Sequence, residues 1–310
     1  EFERLGMVVV DEQHRFGVEQ RDRLRAKAPA GLTPHLLVMT ATPIPRTVAL
    51  TVYGDLETST LRELPRGRQP ITTNTIFIKE KPQWLDRAWQ RISEEVAAGR
   101  QAYVVTARID ETDSGGGESN GPPATTAVEL YERLRGGPLC GLRVGLMHGR
   151  LAADEKDAVM AAFRDGQIDV LVCTTVIEVG VDVPNATVMV VMDADRFGIS
   201  QLHQLRGRIG RGAHPSLCLL ATRLPQDSRA GERLRAVAGT LDGFALADLD
   251  LQERREGDVL GLNQSGRSFT LRFLSLAEHL DLIVAARELC QELYAADPDN
   301  RGMVVLAAQF

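Results

Sequence analysis

Short, uninterrupted apolar runs alternate along this chain with segments whose apolar residues recur at helical spacing. Uninterrupted runs are typical of strands that are covered on both faces, as in parallel sheets. Repeated alternation of such strands with helices predicts a doubly wound α/β fold. The runs that predict strands are residues 7–10, 36–39, 101–106, 143–147, 169–174, 187–192 and 216–221.

Helical spacing is clearest between Trp84 and Val96, and Gly99 follows as a natural C-terminal stop. Residues 155–163 and 228–241 predict further helices. Beyond about residue 225 the alternation with strands ends, and the tail is helical in spacing apart from a Gly-rich interruption at 256–266. The sequence therefore predicts an α/β body followed by a helical extension.

Two segments rich in turn-forming residues divide the chain. Residues 64–70 are rich in Pro, Gly and Arg and predict a linker, whereas residues 113–123 predict a surface loop. We therefore expect a first α/β unit over 1–65, a linker at 66–80, a second unit over 81–225 and the helical extension over 226–310. The total of 310 residues agrees with about two domains.

Composition excludes several classes of protein. Hydrophobic residues make up 44% and charged residues 25%, which excludes disorder for most of the chain, and no apolar run approaches the ~18 residues that span a bilayer. A net charge of −6 argues against coating nucleic acid by bulk charge but allows a local basic groove. The four cysteines form no CxxC pair, so we expect reduced, mostly buried thiols rather than disulfides or zinc ligands.

The first run that predicts a strand ends in Asp11, Glu12, Gln13 and His14. Ligands of open α/β sheets bind outside the carboxyl ends of the strands, where Asp11 and Glu12 would emerge. One carboxylate could hold Mg²⁺ on a nucleotide and the other could orient the attacking water. From these residues alone, an Asp-Glu pair that caps a following helix is an equally good interpretation.

A second motif is rich in arginine. Residues 196–212 contain four arginines and no acidic residue, and Arg208 and Arg211 lie three positions apart, on one face of a helix or a tight turn. Two guanidiniums beside flexible glycines are suited to the charge of a transferring phosphoryl group. The alternative is a solvated basic turn, which the absence of any compensating acid makes the weaker interpretation.

Threonines follow two other predicted strands, as Thr40 and Thr42 in one place and Thr174 and Thr175 in the other. Their hydroxyl and backbone N–H groups could hold sugar-phosphate without reading sequence. An ordinary turn between a strand and a helix is the alternative interpretation of each of these two motifs.

These four motifs, with His148-Gly149-Arg150 between them, follow the order found in the motor of superfamily 2 helicases. More narrowly, the chain resembles the RecG family of branched-DNA helicases, and Gln13 favours RecG over the transcription–repair coupling factor, which shares the motif at 260–266. The segments that carry the resemblance are residues 11–21, 39–47, 61–65, 175–182, 196–208 and 260–266.

The resemblance implies RecA-like parallel sheets: the end of a first motor domain with motifs II and III, and a complete second domain with motifs IV to VI. It implies an ATP-dependent DNA helicase that uses ATP and Mg²⁺. Its partner would be branched duplex DNA, meaning Holliday junctions and replication forks, on which it drives branch migration and fork regression in recombination and repair. It also implies a monomer in the cytoplasm.

The same resemblance assigns roles to residues. Asp11 and Glu12 would serve Mg²⁺ and water, and Gln13 and His14 would couple hydrolysis to movement. Arg208 and Arg211 would be arginine fingers. The expected nucleotide contacts are Gly180, Asp182 and Gln204. The residues expected to face DNA or the coupling path are Thr40, Thr42, His148, Arg150, Thr174, Thr175, Arg254 and Gln264.

The sequence departs from the family pattern in two ways. Arg254-Arg255-Glu256-Gly257 stands where the family usually has Arg-Gly-Pro-Gly, so a charge pair replaces a tight turn. No Gly-x-x-x-x-Gly-Lys-Ser/Thr loop occurs, and none of the four lysines follows a Gly-rich loop. We therefore expect the C-terminal motor portion of a longer protein. The alternatives are a non-catalytic DNA-binding module and a translocase of transcription-coupled repair.

The missing phosphate-binding loop leads to a prediction for the isolated chain. We expect the purified 310-residue protein not to hydrolyse ATP, because the lysine and backbone N–H groups that cradle the β- and γ-phosphates are absent from its sequence. Release of phosphate from ATP, measured with and without branched DNA, checks this. DNA-stimulated turnover by the isolated chain would contradict it.

Overall fold

The computed structural model describes residues 5–11, 34–40, 59–61, 69–107, 125–175, 182–253 and 279–296. The chain divides into two compact units, Glu1–Pro43 and Ile44–Phe310. In the first unit, β1 (Met7–Val10) and β2 (His35–Val38) pair in parallel, with Val10 opposite Val38. The predicted strands at 7–10 and 36–39 therefore form, the second one residue earlier than expected.

The second unit contains a six-stranded parallel sheet in the order β3-β8-β7-β4-β6-β5. The order is not sequential, because crossover helices carry the chain over the sheet. The strands are β3 (Ile71–Phe77), β4 (Gln101–Val105), β5 (Val144–Met147), β6 (Val170–Cys173), β7 (Ala186–Val191) and β8 (Ser216–Thr222). The helices are α1 (Gln83–Ala97), α2 (Ala127–Arg135), α3 (Ala153–Arg164), α4 (Ile199–Arg206), α5 (Arg229–Gly239), α6 (Gly243–Glu253) and α7 (Leu280–Ala296).

Successive residues of β4 point to opposite faces of the sheet, and both faces are buried. Tyr103 and Val105 join one apolar cluster, on the face of α3, α4 and α5, whereas Ala102 and Val104 join the other, on the face of α1 and α2. This burial on both faces explains why the strands are apolar without interruption, and it confirms the predicted doubly wound architecture.

Three details differ from the sequence-based expectations. Residues 71–77, inside the segment expected to be a linker, form the edge strand β3, whose four consecutive polar residues at 72–75 hide it from a search for continuous apolar runs. Two helices, α2 and α4, were not predicted. Of the four cysteines, Cys173 and Cys218 are buried but Cys140 and Cys290 are exposed, so burial holds for only half of them.

No helix in the described part of the chain is long and apolar enough to cross a bilayer. The same residues contain no group of three or more His, Cys, Asp or Glu side chains that could hold a metal ion.

A buried polar cluster holds the carboxyl edge of the sheet at Thr125. The Thr125 N–H donates to the Asp193 carboxylate (2.7 Å), its hydroxyl accepts from Arg223 (3.1 Å), and its carbonyl accepts from the Thr106 hydroxyl. Asp193 has a left-handed backbone (φ 47°), which Asp tolerates better than most residues. Thr125 is therefore fixed from three directions where the chain enters α2.

At the opposite edge, the buried carboxylate of Glu95 on α1 links three segments. It accepts from the Thr187 hydroxyl (2.7 Å), pairs with Arg91 (2.7 Å) and accepts from Arg100. Burial raises the pKa of Glu95, but the hydrogen bonds from Arg100 and Thr187 and the two positive charges outweigh it and hold the pKa below its usual range.

We expect Glu95→Gln to lower the free energy of unfolding by roughly 2 kcal/mol at neutral pH, because charge-assisted hydrogen bonds to a buried group are lost. A carboxyl whose folded-state pKa is depressed adds stability that is complete above its unfolded-state pKa and is lost as the pH falls through the folded-state pKa. The difference between wild type and variant should therefore shrink in acid. Urea denaturation at several pH values measures it, with the exposed Glu132→Gln as control. A pH-independent difference would contradict this prediction.

Candidate nucleotide and DNA sites

The arginine-rich motif, residues 196–212, contains the whole of α4 and the turn that follows this helix. Ile199, Leu202 and Leu205 bury one side of this helix in the core, and Gln201 caps its start by accepting from the Gly198 N–H (3.2 Å). The helix ends at Arg206, so Gln204 lies on it, whereas Arg208 and Arg211 lie beyond it. Of the two predicted settings for the arginine pair, the tight turn is the one found.

Arg206 is buried, with 2% of its surface exposed. Its guanidinium donates to the carbonyls of Val237 (2.9 Å) and Thr240 (2.8 Å) at the end of α5 and lies 2.9 Å from Nδ1 of His203. Burial lowers the pKa of Arg206. The partial negative charge at a helix C-terminus compensates part of the cost of burying this cation. Arg206 thereby anchors the end of α4, and with it the turn that carries Arg208 and Arg211.

Two glycines let the turn pack tightly beneath these arginines. Gly210 has φ 72°, and a Cβ there would lie 2.7 Å from Cγ1 of Ile71. A Cβ on Gly212 would lie 2.3 Å from the carbonyl oxygen of Pro184, a backbone atom that cannot easily move aside. The turn is therefore held against the start of β3 and the segment before β7.

This packing brings two of the predicted site residues together. Nη1 of Arg211 lies 3.5 Å from Oδ1 of Asp182, and its Nε donates to the carbonyl of Gly207 (3.0 Å). The side chains of Arg211 and Asp182 remain 35% and 54% exposed. An ion pair this exposed contributes about 0–1 kcal/mol, so an anionic ligand can replace the carboxylate at little cost.

The buried Tyr103 lies beneath the same region. Burial raises the pKa of the Tyr103 hydroxyl, the buried Cys173 adds to the rise, and the positive charges of Arg208 and Arg211 oppose it. The positive charges of Arg208 and Arg211 therefore both influence the buried Tyr103 hydroxyl. Planar guanidiniums suit phosphate, so these residues fit the polyphosphate of a nucleotide.

A second group lies at the carboxyl edge of the sheet. The Thr174 N–H donates to the carbonyl of Met147 (3.2 Å), which places Thr174 and Thr175 beside the segment of His148 and Arg150. In that segment, Lys156 of α3 donates to the carbonyl of Gly149 (2.7 Å). Nδ1 of His148 is shielded from solvent and has no hydrogen-bond partner among the described residues. Thr174 is buried, whereas Arg150 is exposed.

In the first unit, β1 and β2 bring Asp11 and Thr40 to neighbouring positions. The Met39 N–H donates to the carbonyl of Val10 (2.7 Å), so the two strands end side by side and both residues are exposed. Carboxylate and hydroxyl oxygens are suitable ligands for Mg²⁺ and its waters. The other predicted site residues lie outside the described residues: Glu12, Gln13, His14, Thr42, Gly180, Arg254 and Gln264.

Sequence reasoning missed Arg206 and Asp193. A signal existed for Arg206, because it lies seven residues after Ile199 and four after Leu202, on the buried side of the helix. Asp193 directly follows a buried strand, but its sequence gives no sign of the contact with Thr125, 68 residues away.

The anchor at Arg206 leads to a prediction. We expect Arg206→Ala to lower the free energy of unfolding by roughly 3 kcal/mol, because one buried and one partly buried carbonyl lose their donor and a cavity remains. Arg206→Lys should be more stable than Arg206→Ala but less stable than wild type, since one ammonium cannot reproduce the planar set of donors of a guanidinium. Chemical denaturation measures both, with the exposed Arg164→Ala as control. Equal stability of the Arg206→Ala and Arg164→Ala variants would rule out the anchor.

Comparison with known proteins identifies relatives of this chain. Residues 84–213 match the family model of the helicase conserved C-terminal domain. The chain is 74% identical over all its 310 residues to the ATP-dependent DNA helicase RecG of Mycobacterium tuberculosis and covers 42% of that protein. It therefore spans about two fifths of the length of this relative.

Solved structures give the same result. A structure of RecG bound to a three-way DNA junction superposes with a TM-score of 0.65 and 39% identity, over 91% of this chain and 34% of that chain. Yeast Dbp5 bound to RNA and ADP BeF3 matches with a TM-score of 0.53 over 84% of this chain and 64% of that one, and its 17% identity supports the fold alone. The predicted RecA-like fold is confirmed, and so is the resemblance to the RecG helicases, which the chain matches over its whole length.

Proposed function

We propose that this chain is the C-terminal motor portion of an ATP-dependent DNA helicase that acts on branched duplex DNA. The substrates are Holliday junctions and replication forks, and the outcome is branch migration and fork regression in recombination and repair. The 74% identity to a RecG helicase supports this proposal, as does the relative whose structure was solved on a three-way DNA junction. The protein acts as a monomer in the cytoplasm.

The observation that carries the proposal is the fixed turn of Arg208 and Arg211. Arg206 anchors one end of this turn, Gly210 and Gly212 pack its other end, and Asp182 already holds one guanidinium. A solvated basic turn needs none of these contacts. Arginine fingers need them, because they act only when positioned within a small tolerance of the developing charge.

Each residue then has a role. ATP supplies the phosphoryl group and the free energy when bound. Arg208 and Arg211 stabilise negative charge on the phosphates, and Asp182 keeps Arg211 oriented between turnovers. Gln204 and Gly180 complete the nucleotide contacts on this side.

In the first unit, Asp11 and Glu12 hold Mg²⁺ and orient the attacking water, and Gln13 and His14 couple hydrolysis to movement. Asp11 lies at the carboxyl end of a parallel strand, where ligands of such sheets bind.

DNA contacts form a separate set. Thr174 and Thr175, with His148 and Arg150 next to them, offer hydroxyl, backbone, imidazole and guanidinium donors at the carboxyl edge. Such donors hold phosphates without reading sequence, as an enzyme that recognises the shape of a junction requires. We assign further DNA contacts to Thr40 and Thr42 of the first unit, and coupling to translocation to Arg254 and Gln264.

The experiment uses the full-length protein that contains this chain. We expect Arg208→Ala and Arg211→Ala each to reduce DNA-stimulated ATP hydrolysis by about 10³-fold or more, because removing an arginine finger leaves the charge of the transition state uncompensated. ATP turnover and the unwinding of a synthetic Holliday junction are measured together, and both should fall.

Two controls make the result specific. Arg164→Ala removes an exposed arginine from α3, outside the turn, and should keep the full rate. Binding of the junction without nucleotide should be nearly unchanged in the Arg208 and Arg211 variants. The proposed DNA contacts lie at the carboxyl edge of the sheet, whereas the turn of these arginines packs against the start of β3. If both variants kept the full hydrolysis rate, the proposed motor site would be wrong.

A further inference from the structure

A groove of about 360 Å³ lies beside the edge strand β3, between this strand and the end of α5. Thr73, Thr75 and Phe77 of β3 form one side, and Arg235 on α5 lies opposite them. The small residues Ala238 and Gly239 at the end of α5 also line the groove, so the helix leaves space above the strand. None of the motifs of the proposed motor includes a residue of this groove.

The backbone of β3 offers hydrogen bonds on its outer side. The Ile78 N–H donates to Thr222 of β8 (2.9 Å), and successive peptide groups of a strand point to opposite sides. The peptide groups of Thr73 and Thr75 therefore point away from β8. Within the described ranges, no strand pairs with this side of β3. An open strand edge of this kind is a template for another extended chain.

The side chains of the same two threonines face the groove. Both hydroxyl oxygens are shielded from solvent, and neither has a hydrogen-bond partner among the residues that the structure describes. A shielded hydroxyl without a partner costs free energy. Thr73 and Thr75 thus have unused main-chain and side-chain groups at one place.

The rest of the groove is aromatic and cationic. The ring of Trp84 is 46% exposed, and Nζ of Lys81 lies 4.7 Å from its centroid. Arg235 donates to the carbonyl of Gln226 (3.1 Å), whereas Glu80 accepts from the Gln226 N–H (2.8 Å). No carboxylate pairs with Lys81 in the described part of the chain. The groove therefore has an excess of positive charge beside exposed apolar surface.

We propose that this groove binds an extended segment of a partner protein, which adds to β3 as a further strand and presents apolar and acidic side chains on one face. Its backbone pairs with Thr73 and Thr75, an apolar side chain packs on Phe77 and Trp84, and its carboxylates lie against Lys81 and Arg235. A groove between an edge strand and a helix fits such a peptide, because main-chain bonds give affinity and side-chain contacts give selectivity. This interaction is independent of the proposed motor function.

The protein contains only two tryptophans, and one of them, Trp84, lies in the groove, so its fluorescence can report binding there. Trp89→Phe in the full 310-residue chain leaves Trp84 as the only tryptophan. The probe is a short peptide in which Asp, Leu and Asp occupy alternate positions, separated by threonines. We expect saturable changes in Trp84 fluorescence, and calorimetry on the unsubstituted chain should give the same affinity.

Variants and modified probes test each contact. Lys81→Glu combined with Arg235→Glu should weaken binding about tenfold or more, since attraction becomes repulsion. Thr75→Pro removes an outward N–H without removing a ladder bond to β8 and should abolish binding. Thr72→Val is the matched control, because its side chain is exposed and its peptide group points to β8. Methylating the probe's backbone nitrogens tests strand addition without altering the protein, and we expect it to abolish binding.

Several outcomes would overturn the proposal. If a probe with lysine in place of aspartate bound equally well, attraction between the probe's carboxylates and the groove would be excluded. Full binding of the methylated probe would exclude strand addition. If single-stranded oligothymidine, but not the peptide, saturated the Trp84 signal, the groove would be a nucleic-acid site instead. Absence of peptide binding to the folded, unsubstituted chain would also overturn it.

Discussion

The packing of the turn between α4 and β8 is the constraint on which the candidate nucleotide site depends. A cation buried without a carboxylate is costly, and Arg206 is tolerated because carbonyls at the end of a helix receive it. On the other side, Gly210 and Gly212 allow contacts that no larger residue would fit. Arg211 is exposed and Arg208 is half-buried, whereas Arg206 before them and Ile209 between them are buried. The arginines of one short sequence thus differ in burial, and Arg206 is the one that holds the turn.

The same anchor connects the turn to the helices that follow the sheet. Arg206 contacts the end of α5, and Ser200 near the start of α4 donates to Asp250 of α6 (3.3 Å). Both ends of α4 are therefore fastened to the region that leads into the helical tail. A displacement of α5 and α6 would reach Arg208 and Arg211 through these contacts, without passing through the sheet.

Much of the fold could be predicted from the sequence, because β4, β6 and β7 are buried on both faces and contain uninterrupted apolar runs at 102–105, 170–173 and 188–191. β3 could not be predicted in this way, since four consecutive polar residues at 72–75 occupy its centre and Pro70 precedes it. The sequence assigned both Asp182 and Arg211 to the nucleotide site but did not predict that they contact each other, because the contact depends on how Gly212 packs against Pro184. The anchoring function of Arg206 could not be separated from the roles of its neighbouring arginines, since all of them look alike in sequence.

Thr125, fixed from three sides, has a consequence for how the chain tolerates change. Thr106 and Thr125 are separated in sequence by residues 107–124, and a hydrogen bond links these two threonines directly. The hydrogen bonds that fix the start of α2 beside the end of β4 come from Asp193, Arg223 and Thr106, which all lie outside residues 108–124. Insertions or deletions between 108 and 124 would therefore change the length of the connection while leaving its two attachment points where they are. This makes the stretch a natural place for homologues to vary in length and for a label or a small domain to be introduced.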